Sequence, residues 1–312
     1  MSEVRSGRIV AVGGGKGGVG KTLVSTNLAL ALAARGQKVL LVDADLGGAN
    51  AHTVLGVAPP LVTLSDVVSG RATLDDVTVS TPFENLRFVS GALDDIGAAN
   101  PNHAAKMRLL RQLSQASCDV VILDLGAGTS YNTLDFFLIA HLGILVVLPE
   151  PTSIENAYRF LKAAFFRRLA VIEKAYGIKD LVDEARNQRG ERQLHAPADL
   201  LRTIAAQNPD VGRVVHEQMR RFVPRLVLNQ ARQHADDGSH DATVALDMAS
   251  ACNRFLGLRL DVLGVLPDDE TVRRAVRLRQ PLRVAAPNSP IARALDTLAE
   301  RVLLSPIEAE AA

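Results

Sequence analysis

Eight residues near the start of the chain combine glycines at fixed spacing with a lysine and a threonine. They fit G-x-x-x-x-G-K-[ST] at every fixed position. In such a loop, backbone N–H groups cradle phosphate oxygens, and the helix that follows adds its positive dipole end. The lysine contacts the β- and γ-phosphates, and the threonine hydroxyl ligates Mg²⁺. The residues predicted to bind nucleotide here are Gly15, Lys16, Gly17, Gly18, Val19, Gly20, Lys21 and Thr22.

The same glycines satisfy a second pattern, so a dinucleotide site is an alternative interpretation. Gly15, Gly17 and Gly20 fit G-x-G-x-x-G, and Asp43 follows about 20 residues later, where the ribose-binding acid of a nicotinamide or flavin site stands. The Lys-Thr pair that ends the loop has no role in a dinucleotide fold. Magnesium–nucleotide chemistry uses both residues, so the pattern that includes them is favoured.

Three carboxylates follow apolar runs and are candidates to complete the site. Asp43 and Asp45 come after the second such run, and Asp124 closes the run at residues 120–123. Successive residues of an extended chain point to opposite faces, so only one of Asp43 and Asp45 faces the γ-phosphate unless the chain turns at residues 47–48. An aspartate that ends an apolar strand is the Walker B arrangement, whose carboxylate holds Mg²⁺ together with the loop hydroxyl. We therefore predict a magnesium–nucleotide site that includes Asp124.

Secondary-structure elements must position these residues, and the pattern of apolar residues predicts the fold that provides them. Continuous strand-length runs alternate with helix-length segments, as expected for strands buried on both faces of a parallel sheet. Such βαβ units make right-handed crossovers. The pattern predicts an α/β fold, a doubly wound, mostly parallel sheet flanked by helices. The predicted strands lie near residues 9–12, 39–42, 86–89, 120–123, 144–148, 226–228 and 263–266.

Length and composition limit the remaining possibilities. The chain has 312 residues, of which 47% are apolar and 22% are charged, as is typical of a globular protein. A net charge of +1 gives no whole-chain attraction for nucleic acid, and no apolar run is long enough to span a membrane. Without a signal-peptide pattern, the sequence predicts a cytoplasmic protein.

We predict one domain over residues 1–304, a helical insertion at 163–223 and a short acidic tail at 305–312. The insertion has the pattern of a helix, a polar turn near residues 188–196 and a second helix. Two interpretations remain open for it: a solvated excursion of a long crossover, or a hairpin that binds a partner.

The loop and the carboxylate segments resemble the MinD/ParA family of deviant-Walker ATPases. The family's mark is a second lysine early in the loop, which here is Lys16, and the likeness continues through residues 41–47 and 124–128. Within the family the chain is most similar to the flagellar-number regulators FlhG and FleN, with supporting segments at 150–158 and 266–276. The resemblance implies a P-loop NTPase of the SIMIBI type that uses ATP and Mg²⁺.

The resemblance also implies a role for each matching residue. Lys16 would reach the nucleotide of a partner subunit, so that ATP is sandwiched between two protomers. Asp45 would orient the attacking water, and Asp43 would support the first switch segment and Mg²⁺. The implied catalytic residues are Lys16, Lys21, Asp45 and Asp124, and the implied metal ligands are Thr22, Asp43 and Asp124. The implied nucleotide-binding residues outside the loop proper are Leu23, Asn229, Pro267 and Asp268, although Leu23 lacks the hydroxyl of many relatives.

The function implied is an ATP-dependent dimerising switch that controls the placement or number of a structure such as the flagellum. Its partners would be a second copy and a regulatory or localisation protein, and its location the cytoplasm or the periphery of the membrane or cell pole. One alternative is a ParA-like ATPase that binds DNA through the arginines of residues 273–283, which otherwise read as a solvated helix face. Another is a nucleotide-binding scaffold with little hydrolysis. Apolar spacing over residues 291–304 favours core packing over a membrane-binding helix, because few basic residues flank it.

Overall fold

The computed structural model describes residues 7–45, 48–91, 103–188, 196–232 and 241–306. One sheet of eight strands runs through it in the order β3-β4-β2-β5-β1-β6-β7-β8. All neighbours are parallel except β3, which pairs antiparallel with β4 at the edge. The strands are β1 (Arg8–Gly13), β2 (Val39–Ala44), β3 (Val79–Ser80), β4 (Leu86–Val89), β5 (Val120–Leu125), β6 (Leu142–Val147), β7 (Arg225–Ala231) and β8 (Asp261–Pro267). The predicted fold class and all seven predicted strands are confirmed, and within the described ranges only the two-residue β3 was not predicted.

Helices cover both faces of this sheet. Most of them connect one parallel strand to the next, as the alternating pattern of the sequence predicts. The helices are α1 (Lys21–Ala33), α2 (Ala51–Leu55), α3 (Leu64–Ser69), α4 (Leu74–Val77), α5 (His103–Ser114), α6 (Tyr131–Ile139), α7 (Pro151–Tyr176), α8 (Lys179–Gln188), α9 (Pro197–Gln207), α10 (Pro209–Arg220), α11 (Ala242–Ala251), α12 (Glu270–Arg277), α13 (Leu282–Ala285) and α14 (Pro290–Leu304). A π-helical turn, Cys252–Leu256, continues α11.

The sheet divides the core into two clusters, and successive residues of a strand serve different ones. In β1, Ile9 and Ala11 face the cluster with α3 to α11, whereas Val10 and Val12 face the cluster with α1, α2 and α12 to α14. Apolar side chains on both faces explain why the strand runs show no polar alternation. Because the strands are parallel, the segments that follow β1, β2, β5, β7 and β8 emerge at one edge of the sheet.

The segment predicted as an insertion consists of helices that pack into the main core. Residue 163 lies inside α7, which runs unbroken from Pro151 to Tyr176, so no structural boundary marks the start of the predicted insertion. The continuation contains α8, α9 and α10 instead of one further helix, because Gly177 ends α7 in a left-handed conformation and Asn208 caps α10. The predicted polar turn falls mainly on residues 189–195, outside the described residues. Apolar side chains of α9 and α10 join the same core cluster as the sheet.

The helix at the end of the described chain also belongs to the core. Ile291, Leu295, Leu298 and Val302 are buried on one face of α14, which confirms the predicted core packing. The Arg8 guanidinium donates hydrogen bonds to the carbonyl oxygens of Val302 (2.6 Å) and other residues at the end of this helix. Among the described residues, no helix is both long enough and apolar enough to cross a membrane. The predicted tail beyond residue 306 lies outside the described residues.

Candidate functional site

The glycine-rich loop connects β1 to α1 at the edge of the sheet where the candidate residues meet. Gly18 and Gly20 have positive φ values of 79° and 94°, a conformation that side chains with a Cβ rarely adopt. Gly20 is the N-cap of α1, and Lys21 and Thr22 form its first turn. The backbone thus supplies the tight turn into a helix N-terminus that phosphate binding requires.

One side of the loop is enclosed by protein and the other is open. A methyl group at Gly15 would lie 2.1 Å from the carbonyl oxygen of Asn156, because the loop packs directly on the backbone of α7. At Gly17 or Gly18 such a group would meet nothing within 4 Å. The outer side of the loop can therefore accept a ligand or a protein surface.

The two lysines of the loop occupy different environments. Lys21 is only 8% exposed, and burial lowers its pKa, although the charges of Asp124 and Asp45 act in the opposite direction. Lys16 lies on the outer rim, with 43% of its side chain exposed. Its Nζ is 3.4 Å from the Thr152 hydroxyl and 4.0 Å from a Glu150 oxygen. Lys21 thus faces into the site and Lys16 faces outward.

Asp43 and Asp124 are buried neighbours on adjacent strands. They are register partners in the pairing of β2 with β5, and both are almost completely buried. Burial raises the pKa of Asp43 to about 6, against hydrogen bonds from the N–H groups of Ala51 and Asp45. Burial, and next the charge of Asp43, raise the pKa of Asp124 to about 8, against the hydroxyls of Thr22 and Ser25 and the charge of Lys21.

Asp45 links the segment after β2 to the segment after β5. Its backbone N–H donates to Asp43 Oδ1 at 3.1 Å, and its carboxylate lies against Gly126. The N–H of Gly128 in turn donates to the Gly14 carbonyl at the start of the phosphate loop (3.3 Å). The loop and both carboxylate segments therefore form one contiguous site.

The residues fit a magnesium–nucleotide complex. Asp124 Oδ1 is buried and has no hydrogen-bond partner among the described residues, so this acceptor is suited to a cation or its hydration shell. The Thr22 hydroxyl donates to the Asp124 carboxylate, and Lys21 supplies a buried positive charge for phosphate. Leu23, in the first turn of α1, packs half-buried against the core and offers only its backbone to a ligand.

The residues predicted at the adenine base lie at the ends of β7 and β8. Asn229 is 1% exposed, its Nδ2 donates to the Val19 carbonyl at 2.9 Å, and its Oδ1 is buried without a partner among the described residues. Pro267 ends β8 and pairs with Ala231. The Asp268 carboxylate accepts a hydrogen bond from Arg232 Nε at 2.6 Å. The structure brings Asn229 to the loop and leaves Pro267 and Asp268 one strand further out. Their contact with the base stays a prediction.

Several contacts at the site were not predicted from the sequence. Glu150 and Thr152 lie close to the Lys16 ammonium group, and the backbone of Asn156 packs against the loop at Gly15. The Ser25 hydroxyl donates to Asp124. Only Ser25 carried a signal, since it lies one helical turn beyond Thr22 on the same face of α1. Elsewhere, Cys118 and Cys252 are free and buried. Among the described residues, no group of three or more His, Cys, Asp or Glu side chains is arranged to hold a metal ion.

The comparisons with known proteins cover this site. The family model described as the CobQ/CobB/MinD/ParA nucleotide binding domain matches residues 10–282. The chain is 32% identical to the antiactivator FleN of Pseudomonas aeruginosa, over 99% of this chain and 91% of that protein. It is 25% identical to the flagellum site-determining protein YlxH of Helicobacter pylori, over 96% of this chain and 83% of that protein. Among solved structures, septum site-determining protein MinD from Pyrococcus horikoshii OT3, complexed with Mg-ADP, matches with a TM-score of 0.65 and 25% identity, covering 97% of this chain and 98% of that one.

Proposed function

The chain belongs to the CobQ/CobB/MinD/ParA nucleotide-binding family, and on that premise we propose that it is an ATP-hydrolysing switch that dimerises when Mg²⁺–ATP is bound. A partner would bind the closed dimer, and hydrolysis would reset it. Lys21 would hold the phosphates, while Thr22, Asp43 and Asp124 would hold the metal. Asp45 would orient the attacking water.

The observation that carries this proposal is the opposite orientation of the two loop lysines. Lys21 is buried beside Asp124 and Asp45, so one cation already faces the phosphate site from within the chain. Lys16 is exposed on the open side of the loop, where a methyl group at Gly17 or Gly18 would meet nothing within 4 Å. A cation in this position is better placed to act on a second copy than on its own site. Hydrolysis would then depend on assembly, as when an arginine finger is supplied in trans.

Each residue would contribute through charge or position. Bound Mg²⁺ supplies positive charge that stabilises the phosphoryl oxygens in the transition state. Asp124 would accept metal or metal-bound water at its unpartnered Oδ1. Asp45 follows β2 and lies next to Gly126, which follows β5. From there its carboxylate would accept a hydrogen bond from a water molecule. Such positioning, more than covalent chemistry, carries phosphoryl transfer.

The cellular output is inferred from the relatives. One carries the name antiactivator and another the name flagellum site-determining protein. We infer that this chain controls the placement or number of a cellular structure such as the flagellum, through a regulatory or localisation protein. It would work in the cytoplasm or at the periphery of the membrane or cell pole.

The test is the mass of the protein in solution with ADP and with ATP plus Mg²⁺. Wild type should form a dimer only with ATP, and Lys16→Ala should weaken it and lower turnover. Lys174→Ala, at the exposed far end of α7, is the matched control and should behave as wild type. Asp45→Ala should accumulate the ATP dimer because hydrolysis stops. A monomer in every state would refute the switch, and ATP binding without turnover would favour the scaffold.

A DNA-binding positioner is the second candidate, and one surface feature supports it. Arg273, Arg274, Arg277 and Arg279 are exposed, and no ion pair involves them within the described ranges. Arg283, predicted with them, pairs instead with Asp296. A patch used for DNA would give ATP-dependent duplex binding whose affinity falls steeply with salt. Loss of this binding after replacement of the four arginines, with turnover unchanged, would establish it.

A further inference from the structure

The Asp45 carboxylate lies next to two glycines, Gly126 and Gly48. A methyl group at Gly126 would lie 3.1 Å from Asp45 Oδ1 and 3.2 Å from its Cγ. A methyl group at Gly48, on another side of the carboxylate, would stay 3.6 Å or more away. The Asp45 N–H donates a hydrogen bond of 3.1 Å to Asp43 Oδ1, which fixes the backbone position from which the Asp45 side chain extends. Gly126 is therefore the tighter of its two glycine neighbours.

The backbone at residue 126 does not itself require glycine. Gly128, two residues later, has a φ of +88°, whereas Gly126 is not among the glycines with positive φ. An alanine at 126 can adopt the existing backbone without strain, and the nearest atoms that oppose its methyl group are those of Asp45. Glycine at this position gives room to a carboxylate.

We propose that Gly126 is a positioning residue for hydrolysis: its missing side chain lets the Asp45 carboxylate rest against the end of β5. The inference depends on the proposed function, because Gly126 acts only through the role given to Asp45. The contact also joins two segments of the site, since Asp45 follows β2 and Gly126 comes two residues after Asp124 of β5.

The size of the effect follows from the contact. Carbon and oxygen atoms at 3.1 Å are closer than an ordinary van der Waals contact, so the carboxylate must shift away from residue 126 by about 0.3–0.5 Å. A misplacement of about 1 Å at a reacting group costs about 100-fold in rate. A retreat of a few tenths of an ångström should therefore lower kcat about 3- to 10-fold.

The first experiment compares Gly126→Ala with its matched control Gly48→Ala. Gly126→Ala should lower kcat for ATP while the affinity for ADP stays within about twofold of wild type, and Gly48→Ala should keep the wild-type kcat. Wild-type kcat in Gly126→Ala, or an equal loss in both variants, would overturn the proposal. If Asp45→Ala itself hydrolyses ATP normally, the proposed role of Asp45 fails, which is a different result.

A second measurement does not depend on activity. Gly126→Ala should change the Tm of the nucleotide-free protein less favourably in the wild-type background than in Asp45→Ala, because only the wild type has the carboxylate that the methyl group crowds. The comparison is a double-mutant cycle on stability. An equal change in both backgrounds would show that the methyl group does not act through Asp45 and would overturn the proposal.

Discussion

Replacing Asp124 by asparagine should stabilise the nucleotide-free protein at alkaline pH, although it removes a carboxylate from the candidate site. Asp124 is almost fully buried beside Asp43, and its Oδ1 has no hydrogen-bond partner among the described residues. A buried charge in this position is unfavourable for the folded chain by itself. Asparagine has nearly the same shape and carries no charge.

The magnitude follows from the shift in ionisation. Burial raises the pKa of Asp124 to about 8, whereas an unfolded chain has a pKa near 4 for this group. Between these values the folded protein keeps a proton that the unfolded chain has released. The stabilisation is therefore complete below about pH 4 and is lost as the pH rises through about 8. One proton gives a slope of about 1.4 kcal/mol per pH unit, so from about pH 6 to about pH 9 wild type should lose about 2–3 kcal/mol.

The assay is urea denaturation at both pH values, with EDTA and without nucleotide. Comparing wild type with Asp124→Asn at each pH cancels contributions from groups that titrate alike in both proteins. The control is Asp135→Asn: the Asp135 carboxylate accepts hydrogen bonds from Lys106 and Arg167, which overcome burial and hold the pKa of Asp135 below its usual value. That variant should be less stable at both pH values. A wild type equally stable at both pH values, or an Asp124→Asn protein less stable than wild type at about pH 9, would refute the reasoning.

Two further predictions concern the rim of the phosphate loop. Gly15→Ala should lower the unfolding free energy by about 1–3 kcal/mol, because its methyl group would lie 2.1 Å from the Asn156 carbonyl oxygen. Gly17→Ala, whose methyl group would meet nothing within 4 Å, should change the unfolding free energy by less than about 0.5 kcal/mol. Equal losses of the two variants in urea denaturation would contradict this. Glu150→Gln should release Lys16 and tighten the ATP dimer, by no more than about fivefold because an exposed pair contributes at most about 1 kcal/mol. Analytical ultracentrifugation with ATP measures the dimer affinity. A weaker dimer would contradict the idea that Glu150 holds Lys16 back from a second copy.

The features that could be predicted from the sequence are those set by local pattern. Continuous apolar runs gave the seven parallel strands, because side chains on both faces of each strand are buried. The phosphate loop was predictable because its fixed positions lie within eight residues. The edge strand β3 was not, since Val79–Ser80 is too short to show a period and is held by pairing with β4. The predicted start of the insertion, residue 163, lies within α7, and no helix-ending signal precedes Gly177.

The contacts that give the site its geometry depend on residues far apart in the chain. Asn229 donates to the Val19 carbonyl across 210 positions, and Lys16 reaches Thr152 across 136. No local period or propensity encodes such a pairing; it arises because parallel strands deliver their following segments to one edge of the sheet. The sequence could therefore predict which residues share that edge, but not that Asp45 rests on Gly126.

The candidate site collects groups that are unfavourable in the folded chain alone. Asp43 and Asp124 are adjacent buried carboxylates, Lys21 is desolvated, and Asn229 has a buried Oδ1 without a partner in the described part of the chain. A ligand stabilises the folded state when it binds that state more tightly than the unfolded chain. A metal–nucleotide complex that neutralises or hydrogen-bonds these buried groups would therefore stabilise the folded chain strongly. Stability and function should then change in opposite directions at Asp124, where asparagine stabilises the nucleotide-free protein and abolishes hydrolysis. At Gly126, a methyl group should lower hydrolysis because it displaces Asp45.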